Sequence, residues 1–203
     1  MKRIFYFLGL LGMILMSACA DANGIEPTDT AQPSPTVVET LSLEKTADQV
    51  IRALADKDLE TVASFVHPQQ GLRFSPYAFI REEHQVFMAE ELTGLLALEL
   101  VTTWGRYDGS GEPIDLTFEE YYEEFVYSSD FANADQVAVN ERLGQGNTIN
   151  NVEEFYPEAS FVEYYILGTE KFGGMDWESL RLVFIQEDDI WLLVGIVHDE
   201  WTI

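Results

Sequence analysis

The sequence predicts an α+β domain in which helices near the N-terminus pack on an antiparallel sheet. Two observations support this fold class. Apolar residues first recur every three or four positions, at Leu43, Ala47, Val50 and Leu54, which is the spacing of one helix face. The chain then ends in two apolar, strand-like runs on either side of the turn residues 187–189, which is the pattern of a β-hairpin.

The first 19 residues have the layout of an export signal. Lys2 and Arg3 precede an apolar run at residues 4–16, which is too short for a spanning helix and is typical of a secretory signal peptide. The last four residues, 16–19, read Met-Ser-Ala-Cys and resemble a bacterial lipobox, in which the signal is cut before a cysteine that carries a diacylglycerol. Cys19 is the only cysteine, so it has no internal disulfide partner. The sequence therefore predicts residues 1–18 as a lipoprotein signal peptide with lipidation at Cys19; a signal peptide cut at an ordinary small-residue site is the alternative.

Residues 19–40 are predicted to form a flexible tether that leads to a single domain at residues 41–203. Three prolines stand there among threonine, serine, aspartate and glutamine, with few apolar side chains to bury. The formal charge of the chain is −25 and becomes −27 when Lys2 and Arg3 leave with the signal. This charge repels phosphate backbones and anionic headgroups, so we expect no nucleic-acid partner and expect the lipid to hold the protein at the membrane.

In the first half of the domain, helices are predicted at residues 43–54 and 59–66, with Asp58 as the N-cap of the second and Pro68 as its stop signal. After Gly71 the period changes. We expect an edge strand at residues 72–80, a short strand at 85–88, helical turns at 89–97 and a strand at 100–107. Thr117 and Glu120 form a capping box that opens a helix over residues 118–127, whose aromatic face is predicted to be core.

In the second half, residues 131–142 fit no single pattern, and residues 144–151 are predicted to be a loop rich in glycine and asparagine. Strands are predicted at residues 161–167, 180–186 and 190–201. The last strand is apolar on both faces. We therefore expect helices to cover one face and a loop, a pocket or a partner, such as a second copy of the chain, to cover the other.

Two helices followed by a long, curved antiparallel sheet resemble the NTF2-like fold. The resemblance rests on residues 53–59, residues 65–68 and the final strand at residues 191–201. It implies a cone-shaped sheet around a pocket, in a fold that serves isomerases, dehydratases and non-catalytic binding modules. Together with the lipobox, it makes the chain similar to uncharacterised bacterial lipoproteins with such a domain.

No metal site is predicted, and we expect no cofactor. His67, His84 and His198 are the only histidines, and no two of them have the spacing of four that a metal-binding helix uses.

A calcium-like pattern of oxygen ligands is present at Asp108, Ser110, Glu112 and Glu119. Pro113 stands where such a loop requires glycine, so a β-turn is expected there instead.

An acid–base pair in a pocket requires a desolvated carboxylate near a tyrosine, a histidine or a second acid. The candidate residues of these types are His67, Glu163, His198 and Asp199. For ligand binding, aromatic residues at loop edges or strand ends are the candidates, namely Trp104, Tyr165, Trp177 and Trp201.

The predicted function is that of a lipoprotein anchored at the cell membrane and facing the extracytoplasmic side. Its domain is expected to bind a small apolar ligand or an envelope protein without catalysis. The alternative is a small pocket enzyme, of the isomerase, dehydratase or hydrolase type, that uses a carboxylate with a tyrosine or histidine.

Overall fold

The computed structural model describes residues 41–202, so the predicted signal peptide, Cys19 and the predicted tether lie outside the described residues. The α+β class is confirmed by the order of elements: α1 (Leu43–Ala55), α2 (Leu59–Ala63), β1 (Leu72–Ser75), β2 (Val86–Phe87), α3 (Ala89–Leu92), β3 (Thr102–Arg106), β4 (Pro113–Leu116), α4 (Phe118–Tyr121), β5 (Gln136–Val139), α5 (Val152–Phe155), β6 (Ser160–Ile166), β7 (Glu178–Glu187) and β8 (Ile190–Glu200). No helix within residues 41–202 combines the length and the apolar character needed to cross a membrane.

Six strands form a curved sheet in the order β2-β1-β8-β7-β6-β5, while β3 and β4 form a separate hairpin. The predicted β7–β8 hairpin is present, and Asp188 and Asp189 in its turn have positive φ angles of 47° and 63°. All strand pairs are antiparallel except β1 and β8, which run parallel with Phe74 opposite Ile196. This pair departs from the all-antiparallel sheet that the sequence predicts, because a strand early in the domain pairs with the last one.

One face of the sheet packs against the helices. Val50, Ile51 and Leu54 of α1 are fully buried there, as the helical spacing predicts. The capping box opens α4 as expected, with Thr117 accepting the N–H of Glu120. After one turn the helix widens into a π-helical turn at Tyr122–Val126.

The aromatic face of that segment is core, as predicted: Phe118, Tyr121, Tyr122 and Phe125 are at most 3% exposed. Trp104 stacks on Tyr121 with ring centroids 4.1 Å apart. These rings fill the space between the helices and the sheet.

The other face of the sheet is covered by this chain itself. Val152 of α5 packs against Phe161, Val183 and Val197 from three strands. The expectation that both faces of the last strand are covered is met, and the cover is a loop with a short helix. This face therefore does not require a second copy of the chain.

Several element boundaries differ from the predicted ones. α2 ends at Ala63 and β1 at Ser75, earlier than predicted. The sequence predicts none of β4, β5 and α5, because each has only four residues and too short a pattern to read.

Candidate functional site

A pocket of about 720 Å³ opens between the loop that follows β1 and the β3–β4 hairpin. Its size is within the range of pockets that hold small molecules. Its lining combines three aromatic rings and a proline with eight polar or charged side chains and three glycines. The side chains used below are Tyr77, Phe79, Arg81, His84, Arg106 and Tyr107, with Glu83 and Asp108 as the acidic ones.

The loop that carries His84 is held in place by one guanidinium. Arg73 Nη1 donates to the carbonyl oxygens of Arg81, Glu82 and His84 at 3.1, 2.9 and 2.9 Å. Three carbonyl oxygens converge on this side chain, and its guanidinium also lies over the ring of Phe155 at 5.1 Å. The loop is therefore anchored to β1 and to the cover of the second sheet face.

His84 is 5% exposed, and its two ring nitrogens have different environments. Nδ1 lies 3.3 Å from the backbone N–H of Arg81, which can only donate, so Nδ1 accepts and the proton is on Nε2. Ser75 Oγ lies 3.0 Å from Nδ1 and 2.8 Å from the carbonyl oxygen of Tyr77, so two acceptors share its one hydroxyl proton in this tautomer. Burial lowers the pKa of His84 from 6.5 to about 4, so the ring is neutral at pH 7.

The Nε2–H of His84 faces the pocket. Within residues 41–202 no protein group is hydrogen-bonded to it. It lies beside Gly105, where an added Cβ would be 3.5 Å from Nε2. The missing side chain at this glycine leaves the imidazole open to the pocket.

The predicted histidine candidates lie elsewhere. His67 is 2% exposed; its Nδ1 accepts the backbone N–H groups of Gln69 and Gln70, and its Nε2 is 3.2 Å from Glu187 Oε1. His198 is 1% exposed and packs edge-on against Phe125. The two histidines have different partners, and neither lines the pocket.

Glu163 and Asp199, the two carboxylate candidates, meet in a buried ion network on the second face of the sheet. Arg181 joins them, with Nε 3.2 Å from Glu163 Oε2 and Nη2 hydrogen-bonded to Asp199, and all three side chains are 0% exposed. Arg142 Nη2 lies 2.8 Å from Asp199 Oδ2. With two cations and two anions, the network is charge-balanced.

Glu163 also fixes the loop above this network, since it accepts the backbone N–H groups of Leu143 and Gly144 at 3.0 and 3.1 Å. Glu163 thus has a cationic partner and two backbone partners, and Asp199 has two cationic partners at Oδ2, while its buried Oδ1 has no partner within residues 41–202. The shared guanidinium of Arg181 makes this network a structural staple of three strands.

Two of the four aromatic candidates are core, which corrects their expected place at a pocket rim. Trp104 is 1% exposed within the aromatic core, and Trp177 is 5% exposed. Tyr165 lies beside Trp177, with ring centroids 5.8 Å apart, and Trp201, just after β8, is 41% exposed. None of them lines the pocket.

The calcium-like segment is a β-hairpin turn, as its proline suggests. The N–H of Gly111 donates to the carbonyl of Tyr107 at 2.9 Å, and Asp108 Oδ2 accepts from Thr148 Oγ1 at 2.9 Å. Ser110 Oγ accepts the N–H of Glu112, while Glu119 is exposed on α4. Within the described part of the chain, no group of three or more acidic, histidine or cysteine side chains is placed to hold a metal ion.

Of the residues that line the pocket, only Asp108 is among the sequence candidates, and there it belongs to the calcium-like pattern. His84 was noted only as one of three histidines, and Arg81 and Arg106 were not singled out. The available signal was a local one, since Arg81 and His84 are separated by two residues in a turn after a proline-interrupted strand.

No protein-family model matches this sequence, and no curated protein matches it. Three solved structures illustrate what its fold is similar to. An NTF-2-like protein of unknown function from Shewanella oneidensis is 10% identical over 77% of this chain and 95% of that chain, with a TM-score of 0.30. A DUF4783 family protein from Bacteroides ovatus is 12% identical over 76% and 94%, with a TM-score of 0.29. Aln2 from a Streptomyces species is 11% identical over 83% and 93%, with a TM-score of 0.33.

Proposed function

We propose that this protein is a lipid-anchored extracytoplasmic binding module that holds a small ligand in the pocket beside the β3–β4 hairpin. The anchor is supported by the signal-like N-terminus and by the lone Cys19. The ligand site is supported by one observation above all, which is a cavity of about 720 Å³ with both aromatic and polar walls.

The location of the cavity distinguishes it from the rest of the fold. Aromatic rings fill the space between the helices and the sheet, and α5 covers the second face. The pocket lies at the edge of the first core, with which it shares Tyr77, where the loop after β1 and the hairpin turn approach each other. A ligand can therefore enter it without unpacking either core.

Binding explains the pocket chemistry better than catalysis does. A general acid or base works best when its pKa is near the working pH. The pKa of His84 is about 4, and burial raises the pKa of Tyr77 well above its ordinary value. Both side chains remain neutral hydrogen-bonding groups at pH 7, so a binding role suits them.

Native mass spectrometry of the full chain, purified from membranes in detergent without added ligand, tests the proposal. We expect an extra mass of a small organic molecule. Thr103→Trp should remove it, because Thr103 is an exposed residue of β3 that lines the pocket. Gln186→Trp places the same ring at an exposed site on β7 outside the pocket and should retain the ligand.

A bare wild-type mass, or an extra mass that survives Thr103→Trp, would contradict a ligand site in this pocket. If the ligand leaves with a changed structure over time, the pocket is an enzyme site, and the catalytic alternative replaces the binding role.

A further inference from the structure

We infer that the pocket selects a small organic oxyanion, a carboxylate or phosphate attached to an apolar body, and that the Nε2–H of His84 together with Arg81 and Arg106 binds its oxygen atoms. This inference rests on the proposed function, because it assigns a ligand class to the same pocket. Three observations support it: the direction of the His84 proton, the local charge and the aromatic walls.

The fold holds His84 in place as a hydrogen-bond donor towards the pocket. Its side chain is only 5% exposed. Its Nδ1 accepts a hydrogen bond from the protein, and its Nε2–H has no protein partner within residues 41–202. Nε2 opens into the pocket beside Gly105, and the fold holds the ring in place, so a ligand that supplies an acceptor there gains a hydrogen bond at little reorganisation cost. The group that fits must carry an accepting oxygen or nitrogen.

The pocket is less negative than the rest of the described chain. Residues 41–202 contain 9 basic and 32 acidic side chains, yet the pocket lining contains two of each. Arg106 Nη1 donates to the carbonyl of Gly111 at 2.9 Å, and the guanidinium of Arg81 lies over the ring of Phe79 at 5.0 Å, so both cations are placed against pocket walls.

The two acids of the lining are Glu83 and Asp108. Asp108 is already engaged, since its Oδ2 accepts from Thr148 and Thr202 at 2.9 and 3.3 Å. Glu83 is exposed. In a chain that repels anions overall, this is a local region where a guanidinium can pair with a ligand oxyanion.

The remaining walls determine the rest of the ligand. Tyr77, Phe79 and Tyr107 supply ring surface next to the polar groups. A ligand with an apolar body and one anionic end satisfies both kinds of wall. Benzoate and phenyl phosphate are probes with this character, while benzamide and benzylamine keep the ring but carry a neutral or a cationic end.

The experiment titrates the four probes into the full chain in detergent at pH 7 and measures affinity by calorimetry. The same samples, labelled at histidine, report the Nε2 signal of His84 by NMR; the chain has only three histidines, and His84→Asn identifies the signal that disappears. We expect benzoate or phenyl phosphate to bind about tenfold more tightly than benzamide and benzylamine, and to shift the His84 signal.

Variants at the guanidiniums complete the test. Arg81→Gln and Arg106→Gln should each weaken the anionic probe about fivefold, and both residues are exposed, so folding is not at risk. Arg52→Gln is the matched control, because Arg52 is an exposed arginine paired with Asp48 on α1. It should leave binding unchanged.

The outcomes distinguish the oxyanion inference from the proposed ligand site. If benzamide binds as tightly as benzoate and shifts the His84 signal, the pocket binds ligands but the oxyanion inference is wrong. Anionic binding that is unaffected by both arginine variants would also overturn it. If no probe shifts the His84 signal, both the inference and the proposed site are contradicted.

Discussion

His84 is a buried imidazole that must remain neutral in the folded chain. Its pKa is lowered to about 4 chiefly by burial, with Arg73 and Arg81 acting in the same direction and Glu83 against them. The unfolded chain binds the proton near pH 6.5, before the folded chain does. The contribution of His84 to stability is therefore complete above pH 6.5 and is lost as the pH falls towards 4.

We expect the free energy of unfolding to fall by about 2 kcal/mol between pH 7 and pH 4.5 on account of this one group. His84→Asn should remove that part of the loss, because the Asn amide keeps an acceptor for the N–H of Arg81 but does not titrate. Urea unfolding at both pH values measures it. Equal pH dependence in the wild type and the variant would show that His84 titrates normally.

The absence of a side chain at Gly144 determines how the surrounding loop packs. An added Cβ would lie within 3.0 Å of three ring atoms of Trp177. The loop can lie over the indole only because the glycine has no side chain, and the N–H of Gly144 meets Glu163 at the same place.

Gly144→Ala should therefore destabilise the fold by about 1–3 kcal/mol, since the indole or the loop must move. Gly94→Ala is the matched control: nothing lies within 4 Å of the added Cβ, and its φ is −107°. Thermal unfolding of the two variants should separate them clearly. Equal melting temperatures would mean that the loop over Trp177 is free to move.

Three neighbouring strands, β6, β7 and β8, are joined on the second face by the ion network of Glu163, Arg181 and Asp199. Glu163 and Arg181 are directly opposite in the β6–β7 register. Removing one partner of a buried ion pair leaves an unpaired buried charge, which costs far more than an exposed pair contributes.

We expect Arg181→Met to destabilise the chain by about 3–5 kcal/mol, because two buried carboxylates lose their shared cation. Arg52→Met breaks the exposed Arg52–Asp48 pair on α1 and should cost less than about 1 kcal/mol. Urea unfolding at pH 7 gives both values. A loss below about 1 kcal/mol for Arg181→Met would indicate that water replaces the guanidinium in this network.

Elements with long, regular patterns could be predicted from the sequence, and short or distant ones could not. The spacing from Leu43 to Leu54 predicts α1, and the two apolar runs on either side of residues 187–189 predict the β7–β8 hairpin. The pairing of β1 with β8 depends on residues far apart in the chain, which no local pattern shows.

The ion network can be predicted in part from the sequence, whereas the pocket cannot. Residue type is enough to predict Glu163 and Asp199 as candidates. Arg181 has a different signal, which is a charge between Leu180 and Leu182 in a buried strand. The role of His84 depends on the direction of one N–H and on a glycine from another strand. Neither can be read from composition or spacing.

At the scale of the whole molecule, the anchor at Cys19 is a prediction that the described residues do not test. We expect wild-type cells to incorporate labelled palmitate into the protein and Cys19→Ala to abolish it, because only the thiol carries the lipid. Thr28→Ala in the tether is the control and should be lipidated normally. A mature Cys19→Ala chain that stays in the membrane fraction after a salt wash would contradict the anchor.

The parallel pair of β1 and β8 has a consequence for how the chain is made. The N-terminal end of the chain emerges first from a ribosome or a translocation channel. Residues 72–75 therefore appear long before their partners at residues 195–197. Until the last strand arrives, β1 has no neighbour on that side, and the loop that carries His84 has no completed sheet beneath it. Pairs so distant in sequence form slowly. Binding competence should thus be the last property that a newly made molecule acquires, only after its C-terminus is free.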